Sequence, residues 1–312
     1  MRRLGLFGLA LTFFVQYAVA ADPARQDQPD GAGDHLQRAR ALIADGEHTR
    51  AIAEQTRAIA LEPAAPAFKE RARTWALKQQ CELAVADYSR AVELDPRDQE
   101  SYLGRASCLR ALGRTDRAAE DLTFLLRFNT RSADVFKMRA HVRLTQGRVA
   151  EALTDLRWAT DLEPRDVSIM QMLGYARFAN GEYEIAADNL VRALRFRDDM
   201  RAMLYLYLAR SRNGSNARAE LQKNAGYLRT RSWPFPIVAL YLGHGTPAEV
   251  REKASGDDQK CSANFYVGHW LQLQGRRAEG FALLKEALNT CPKTNLEYET
   301  LSAEMKLTRL QF

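Results

Sequence analysis

Apolar and polar residues follow the period of amphipathic helices along most of the chain, and three of these helical stretches end on a proline. The prolines are Pro63, Pro96 and Pro164, and the step from the second to the third is about twice the step from the first to the second. The intervening unit ends at Asn129-Thr130 without a proline. Proline ends a helix because it lacks the N–H that the next turn needs. A fixed period of about 34 residues predicts a solenoid of stacked helix pairs.

Each unit also has a glycine near its middle and small residues at fixed distances after that glycine. The glycine suits the tight turn between two antiparallel helices, and the small residue five positions later lets the two helices approach closely. The glycines are Gly46, Gly113, Gly147 and Gly181, the small residues are Ala51, Ala118, Ala152 and Ala186, and the buried stripe continues at Ala58, Leu125, Ala159 and Ala193. The second unit has Gln79 in place of the glycine but keeps the small residue Ala84.

These motifs resemble, unit by unit, those of the tetratricopeptide repeat (TPR) family, and the resemblance covers 33–198 as five consecutive TPR units. It implies an all-α fold in which antiparallel helix pairs build a right-handed superhelix. Each pair cannot bury its apolar faces alone, so neighbouring pairs supply the core. The function that the resemblance implies is the binding of other proteins or peptides.

The chain departs from this pattern over 199–255, which we expect to form a divergent helical segment. Helices are predicted over 200–210, 217–228 and 237–242, and a further helix is predicted to start at Thr246-Pro247-Ala248-Glu249, which has the residues of a capping box. The string Trp233-Pro234-Phe235-Pro236 is predicted to be non-helical, because each proline favours extended backbone in the residue before it.

The pattern returns near the C terminus as a sixth TPR unit, predicted over 256–292. Gly268, Gly275, Gly280 and Ala287 all fall in phase with the earlier units. The remaining residues, 293–312, are predicted to form a C-terminal capping helix, which starts at Asn295 and covers the exposed end of the stack.

Short aromatic and aliphatic strings in the C-terminal third carry a second resemblance. The strings are Leu204-Tyr205-Leu206-Tyr207-Leu208-Ala209, Val238-Ala239-Leu240-Tyr241-Leu242-Gly243, Asn264-Phe265-Tyr266-Val267-Gly268 and Asn295-Leu296-Glu297-Tyr298. In this order they resemble the Nlp-type TPR lipoproteins of the bacterial outer membrane. The resemblance implies a periplasmic adaptor that links envelope hydrolases to a protease, often as a homodimer. The acylated cysteine of that family is missing here, so its membrane tether is not implied.

The N-terminal segment predicts export. Arg2 and Arg3 precede an apolar run over 4–19, and Ala18-Val19-Ala20 has the small-x-small pattern of a signal-peptide cleavage site. An uncleaved membrane anchor is the alternative, but the apolar run is short for a span. We therefore expect cleavage of 1–20, a flexible linker over 21–32, and a periplasmic protein that has no transmembrane helix and meets membranes only through its partners.

Charge and motifs argue for binding rather than catalysis. The net charge of +6 falls to +4 without the two arginines of the signal peptide, and both signs are interspersed, which argues against a nucleic-acid partner. Nucleophile elbows, phosphate-binding loops and Cys-x-x-Cys pairs are missing from the sequence. The histidines are scattered at His35, His48, His141, His244 and His269. We therefore predict that the protein is not an enzyme and uses no metal, cofactor or small-molecule substrate.

A partner-binding groove is predicted on the inner face, which the first helix of each TPR unit lines. The register of the units selects nine residues for it: Lys69, Arg73, Ser107, Arg110, Lys137, His141, Gln171, Tyr175 and Phe178. One end is basic and the other aromatic, so the groove is predicted to bind an extended or helical peptide that is acidic and hydrophobic. The alternative for each residue is an ordinary solvated helix face. Arg73, Arg110 and Tyr175 are expected to lie outside the core.

The four cysteines suggest one or two disulfides in an oxidising compartment. Cys261 starts the first helix of the sixth unit and Cys291 ends its second helix, so these antiparallel ends should meet with their Cα atoms within about 7 Å. For Cys81 and Cys108, a second disulfide and two buried free thiols are both open.

The sequence leaves three functions open. The first is a periplasmic adaptor or scaffold that binds proteins or peptides. The second is a structural subunit of a secretion or cell-envelope assembly. The third is an enzyme with a site in 199–255, which would need polar side chains to converge in a pocket there; Trp233-Pro234-Phe235-Pro236 instead has the composition of a packing wedge.

Overall fold

The computed structural model describes residues 30–128 and 131–306, and the described residues form seventeen helices and no strand. This confirms the all-α prediction. The predicted signal peptide and most of the predicted linker lie outside the described residues, as do Asn129-Thr130 and 307–312.

The first ten helices form five antiparallel pairs. They are α1 (Ala32–Ala44), α2 (His48–Leu61), α3 (Ala65–Leu77), α4 (Cys81–Leu94), α5 (Gln99–Ala111), α6 (Thr115–Arg127), α7 (Ala133–Thr145), α8 (Val149–Leu162), α9 (Val167–Ala179) and α10 (Tyr183–Leu194). First helices of neighbouring pairs touch one another, as α3 touches α5 and α5 touches α7. We call the surface that these first helices form the inner face.

The predicted helix ends and turns of the repeat are confirmed. The helices before Pro63, Pro96 and Pro164 end two residues ahead of the proline. The four turn glycines have φ between 72° and 78°, a left-handed conformation that only glycine adopts without strain. In the second unit Gln79 takes the same conformation, with φ of 60°. The turn of the repeat therefore forces Gln79 into a left-handed backbone conformation that residues with a side chain disfavour.

We expect Gln79→Gly to stabilise the protein. A left-handed conformation costs a residue with a side chain roughly 1–2 kcal/mol, and glycine removes this cost. Glycine also loses more conformational entropy on folding, which offsets about 0.5–1 kcal/mol of the gain. The net gain in the free energy of unfolding should be up to about 1 kcal/mol, measured by urea denaturation. Lys78→Gly is the matched control, because Lys78 has φ of −82° and should lose stability. A loss of stability in Gln79→Gly would contradict the assignment of strain.

The same ion pair, between an arginine and an aspartate, joins the first and second helix in each of three successive repeats. The ion pairs are Arg71–Asp87, Arg105–Asp121 and Arg139–Asp155, each with a closest N–O distance of 2.7 Å. Each arginine also donates to a hydroxyl on the second helix of the preceding pair, at 3.0–3.2 Å, and these hydroxyls belong to Thr56, Ser89 and Thr123. One side chain thus joins three helices. The arginines recur with the period of the repeat, a signal that an inspection of apolar residues alone does not find.

The segment 199–255 is helical and continues the stack. It holds α11 (Met200–Arg212), α12 (Ala217–Ala225), α13 (Phe235–Tyr241) and α14 (Pro247–Lys253), with α11 packed on α10. The predicted capping box is confirmed, since Thr246 accepts from the Glu249 N–H and Glu249 accepts from the Thr246 N–H. The expectation that Phe235 and Pro236 are non-helical is wrong. Proline is tolerated in the first turn of a helix, and α13 begins at Phe235.

The sixth pair is α15 (Gly256–Leu273) and α16 (Arg277–Thr290), which cross at two glycines. A Cβ on Gly280 would lie 2.5 Å from the carbonyl oxygen of Gly268, so the crossing requires glycine there. The ends of the pair bring Cys261 and Cys291 together, with 4.9 Å between their Cα atoms and the two sulfurs bonded. This Cα distance lies within the range expected for a disulfide.

The other two cysteines are free thiols in the structure, but only Cys108 is buried, and Cys81 is half-buried. Cys108 is buried and neighbours Cys81. Burial and the Cys81 thiol together raise the pKa of Cys108 to about 12. A thiol with so high a pKa is a poor nucleophile, because the thiolate is the reactive form.

The C-terminal helix α17 (Leu296–Lys306) does not cover the end of the stack, contrary to prediction. It touches α15 and α16 of the sixth pair and then packs against α7 and α9, in the middle of the inner face. Leu301 and Ala303 are fully buried there. The stack therefore folds its own last helix into the surface that a partner was expected to occupy.

Candidate functional site

The inner face is occupied over α7 and α9 by α17, which is joined to α7 by hydrogen bonds as well as by apolar contacts. The Ser302 hydroxyl and the Lys306 amine donate to the carbonyl oxygen of Thr145, at 3.0 and 3.1 Å. This carbonyl belongs to the last turn of α7, where the helix leaves its final acceptors unpaired. The C-terminal helix therefore caps α7 from the side.

Glu299 of α17 contacts two of the nine residues predicted for partner binding, Arg110 and His141. Its side chain is fully buried, accepts from Arg110 Nη1 at 3.1 Å and lies 2.6 Å from His141 Nδ1. Arg110 and His141 come from α5 and α7, so one carboxylate joins two successive repeats. The prediction that Arg110 is available to an acidic partner is wrong, because the chain supplies its own acid.

Glu304 makes a second buried site with Arg212 and His269. Arg212 donates through Nη1 to Glu304 at 2.7 Å and through Nη2 to His269 Nδ1 at 2.9 Å, while His269 Nε2 lies 3.5 Å from Glu304. Burial raises the pKa of Glu304, but Arg212 and His269 lower it further than burial raises it, and the net pKa is below the ordinary value. Glu304 is therefore ionised at neutral pH.

Glu297, at the start of α17, makes a third contact of the same kind. Its carboxylate is 1% exposed and lies 3.0 Å from Arg201 Nε. Burial lowers the pKa of Arg201 and Glu297 raises it, with a net rise. Three acids of one helix thus meet arginines of two different helices, since Arg201 and Arg212 sit at opposite ends of α11 and Arg110 lies on α5.

His269 should make the stability of the protein depend on pH. Burial lowers the pKa of His269 below its ordinary value of 6.5, despite the opposing effect of Glu304. As pH falls below 6.5, the unfolded chain binds a proton that the folded protein does not bind, so the free energy of unfolding should fall in that window. Urea midpoints between about pH 8 and pH 5 measure this slope.

The control compares two histidines. His269→Gln should flatten the slope just below pH 6.5, whereas His244→Gln, at an exposed turn, should leave it unchanged. Equal slopes in wild type and His269→Gln would contradict the buried, neutral state of this imidazole.

The basic end of the predicted groove is also paired within the chain. Lys69 Nζ lies 3.1 Å from Asp98 and 3.2 Å from Glu100, and Arg73 Nη1 lies 2.7 Å from Glu100. These carboxylates follow one repeat later, on the turn before α5 and in its first residues. The expected basic surface is therefore largely neutralised. Ser107 is half-buried on α5.

The aromatic end belongs to the core. Phe178 is fully buried and Tyr175 is 6% exposed, and both pack against Tyr205, with ring centroids 5.3 and 4.6 Å away. The expectation that Tyr175 lies outside the core is wrong. The repeat register predicts Tyr175 to line the groove, but α11 and α15 add a second layer of apolar side chains there. A joint substitution of Arg73, Arg110 and Tyr175 would therefore disturb the fold as well as any binding.

One open cleft of about 670 Å³ remains beside α17 on the inner face. Four of the nine predicted residues line it, namely Lys137, His141, Gln171 and Tyr175. Its other walls come from outside the first five repeats and include Arg201, Trp233, Asp258, Thr294 and Asn295. We call this space the inner cleft. The sequence placed its floor correctly but did not find the walls, since they reach it only through the fold of the C-terminal third.

The two cationic side chains of the inner cleft, Lys137 and Arg201, have carboxylate partners within the chain. Lys137 Nζ lies 2.9 Å from Asp134 and 3.5 Å from Asp166. Arg201 has its ion pair with Glu297. The cleft therefore offers hydrogen-bonding groups rather than a strong field of one sign. In the described ranges, no group of three or more His, Cys, Asp or Glu side chains is arranged to hold a metal ion.

Gln171 is the exception among these satisfied groups. It is 6% exposed, and its Oε1 accepts from Arg197 at 3.2 Å. Its Nε2 has no hydrogen-bond partner within the described part of the chain. Buried polar atoms are normally paired, so this unpaired amide donor departs from the rule.

The acids of α17 were also missed in the sequence, although a signal for them exists. Glu297, Leu301 and Glu304 are separated by four and three residues and so share one face of the helix. Carboxylates on the same face as the buried leucine indicate an acidic helix that is inserted among basic partners.

A family model described as "Tetratricopeptide repeat" matches residues 78–123 and 137–194. The first match reaches from the turn before α4 into α6, and the second covers most of α7 and all of α8, α9 and α10. The matched residues include the floor of the inner cleft.

Solved structures share this fold at low sequence identity. A tetratricopeptide repeat protein from Parabacteroides merdae ATCC 43184 is 13% identical, with a TM-score of 0.60, and the match covers 88% of this chain and 98% of that one. PilW, a type IV pilus biogenesis factor, is 16% identical over 64% of this chain and 95% of its own, with a TM-score of 0.54. YrrB, described as a TPR protein with an unusual peptide-binding site, is 18% identical over 57% and 93%, with a TM-score of 0.51. At these identities the likeness shows the fold alone.

Proposed function

We propose that this chain, which matches a tetratricopeptide-repeat family model over 78–123 and 137–194, is an exported scaffold that binds segments of other proteins in the inner cleft. The observation that carries the proposal is the cleft itself, which lies on the face formed by first helices and is lined by Lys137, His141, Gln171 and Tyr175. The TPR fold suggests a scaffold for proteins or peptides, and this supports a binding role for the cleft.

We place this scaffold in the periplasm, as an adaptor between envelope enzymes. The proposal rests on the signal-peptide pattern of 1–20 and on the likeness of the C-terminal strings to the Nlp-type lipoproteins. None of the helices in the described ranges is long and apolar enough to cross a bilayer. The same resemblance to the Nlp-type lipoproteins suggests that the protein forms a homodimer.

Selection of phage-displayed random peptides on purified 21–312 tests the proposal. We expect wild type to enrich a peptide family, and Thr294→Trp to lose it. Thr294 is an exposed residue of the cleft wall, so an indole there fills the cleft without entering the core. The control is Leu61→Ser, on the far edge of the stack, which should bind as wild type does. Peptides that bind Thr294→Trp as well as wild type would move the binding site elsewhere.

A structural subunit of an envelope assembly is the second candidate, and an apolar row at the edge of the stack favours it. The row lies at the ends of second helices and comprises Leu61, Leu94, Phe128 and Phe196, which are 57%, 46%, 48% and 64% exposed. Side chains of this size exposed in a row are typical of contact surfaces between proteins. Loss of self-association or of assembly in Phe196→Ser, with peptide binding intact, would support this role over the first.

A further inference from the structure

We propose that a basic and aromatic surface between α10 and α12 binds the surface of an anionic phospholipid bilayer. This inference goes beyond the scaffold function, since the groove that carries it shares no lining residue with the inner cleft. It also differs from the expectation that the protein meets membranes only through its partners.

The first observation is the distribution of charge along the chain. Residues 192–231 hold ten Lys and Arg against three Asp and Glu, a net charge of +7, whereas the whole chain has +6. Three of these cations lie on α11 and have ion-pair partners, namely Arg201, Arg210 and Arg212. Four others are exposed and have no ion-pair partner within 30–128 or 131–306, namely Arg192, Arg195, Lys223 and Arg229. The segment therefore carries a positive charge that the acids of the chain do not neutralise.

The second observation is a groove of about 470 Å³ between α10 and α12, which we call the basic groove. Two of the unpaired cations line it, Arg195 at the C-cap of α10 and Lys223 on α12. The apolar residues that line it are Val191, Leu194 and Leu206. Glu220, the acid that lines it, lies 3.3 Å from Arg210. Cations beside apolar side chains match a phospholipid, whose phosphate is anionic and whose acyl chains are apolar.

A large aromatic side chain accompanies each cation of the basic groove. Phe196 follows Arg195 and is 64% exposed. Tyr227 lies four residues after Lys223, in the turn that ends α12, and is 62% exposed. Aromatic rings are favoured at the depth of lipid headgroups, and a projecting ring enters that layer without a shaped pocket. An acidic protein would have to supply a pocket for each ring, so the aromatic side chains favour a bilayer as the ligand.

Sedimentation of 21–312 with vesicles tests the inference. One kind of vesicle is phosphatidylcholine alone, and in the other about one third of the lipid is phosphatidylglycerol. We expect binding to the second kind only, and weaker binding at higher salt, because salt screens the attraction. Each cation near an anionic surface contributes about fivefold to partitioning, so Arg195→Gln with Lys223→Gln should lower the partition coefficient about 25-fold. Tyr227→Ser should lower it at low and high salt alike, since the contribution of the ring is mainly apolar.

The matched control is Arg117→Gln with Arg165→Gln. It removes two exposed cations outside 192–231 that also have no ion-pair partner in the described part of the chain. We expect this variant to bind anionic vesicles as wild type does, and circular dichroism checks the fold of each variant. An equal loss of binding in the control would show that net charge alone attracts the protein, which would contradict a site at the basic groove. Binding of poly-glutamate but of neither vesicle would refute the lipid and indicate an acidic protein as the ligand.

Discussion

Glu304→Ala should lower the free energy of unfolding by about 3–5 kcal/mol, the cost of breaking a buried ion pair by removing one partner. Glu304 is fully buried, and its removal leaves Arg212 and His269 in the core without a counter-charge. Because Leu301 and Ala303 anchor the same helix in two apolar clusters, α17 should melt together with the stack in one transition. Urea denaturation followed by circular dichroism measures both the midpoint and the cooperativity.

Glu279→Ala is the control for this experiment. Glu279 and Arg276 form an ion pair on the surface, with side chains 59% and 51% exposed, and such solvent-screened pairs add little to stability. A loss in Glu304→Ala no larger than that in Glu279→Ala would show that α17 is not an integral part of the fold. The inner face would then be open to partners in solution.

Cys291→Ser should destabilise the protein by roughly 3–4 kcal/mol under oxidising conditions. The cross-link to Cys261 closes a loop with a sequence separation of 30 residues, and the chain-entropy model gives this magnitude for such a loop. The expected result is a lower urea midpoint for the variant with the same secondary structure. Peptide mapping without reductant should find both cysteines protected from alkylation in wild type.

Reduction supplies the control. Cys81 and Cys108 are free thiols, so dithiothreitol should lower the stability of wild type to that of Cys291→Ser and leave the variant unchanged. Alkylation of Cys261 in the native, unreduced protein would refute the cross-link. A further fall of the variant in dithiothreitol would mean that Cys81 and Cys108 pair in solution.

The sequence predicted the parts of the fold that depend on local rules. The prolines, the turn glycines and the small residues such as Ala118 and Ala152 each follow from what a helix end, a tight turn or a close helix crossing needs. Since the units repeat, the same rule was met several times, which made the register reliable. The capping box at Thr246 was also found because all of its atoms lie within one helical turn.

The candidate site was predicted less well, because its composition depends on contacts between distant segments. The register placed Lys137 and Gln171 correctly on the inner face, but it carries no information on what covers that face. Arg110 meets Glu299 across 189 residues of chain. Tyr175 was predicted to be a groove residue and is instead buried by Tyr205, which lies outside the five regular repeats.

Seating α17 on the inner face changes what the protein can bind. In the predicted groove a long acidic helix would lie along several repeats, and α17 already has that position, with Glu297, Glu299 and Glu304 as its charged contacts. A partner is therefore left with a short cleft at the start of α17.

Site-specific photo-crosslinking in the cells that make the protein tests most directly whether partners enter the inner cleft. A benzophenone side chain is placed at Thr294, on the cleft wall, or at Leu61, in the exposed apolar row. We expect a crosslinked partner at Thr294 and none at Leu61. Crosslinks at Leu61 alone would contradict the inner cleft as the binding site and would favour the assembly subunit.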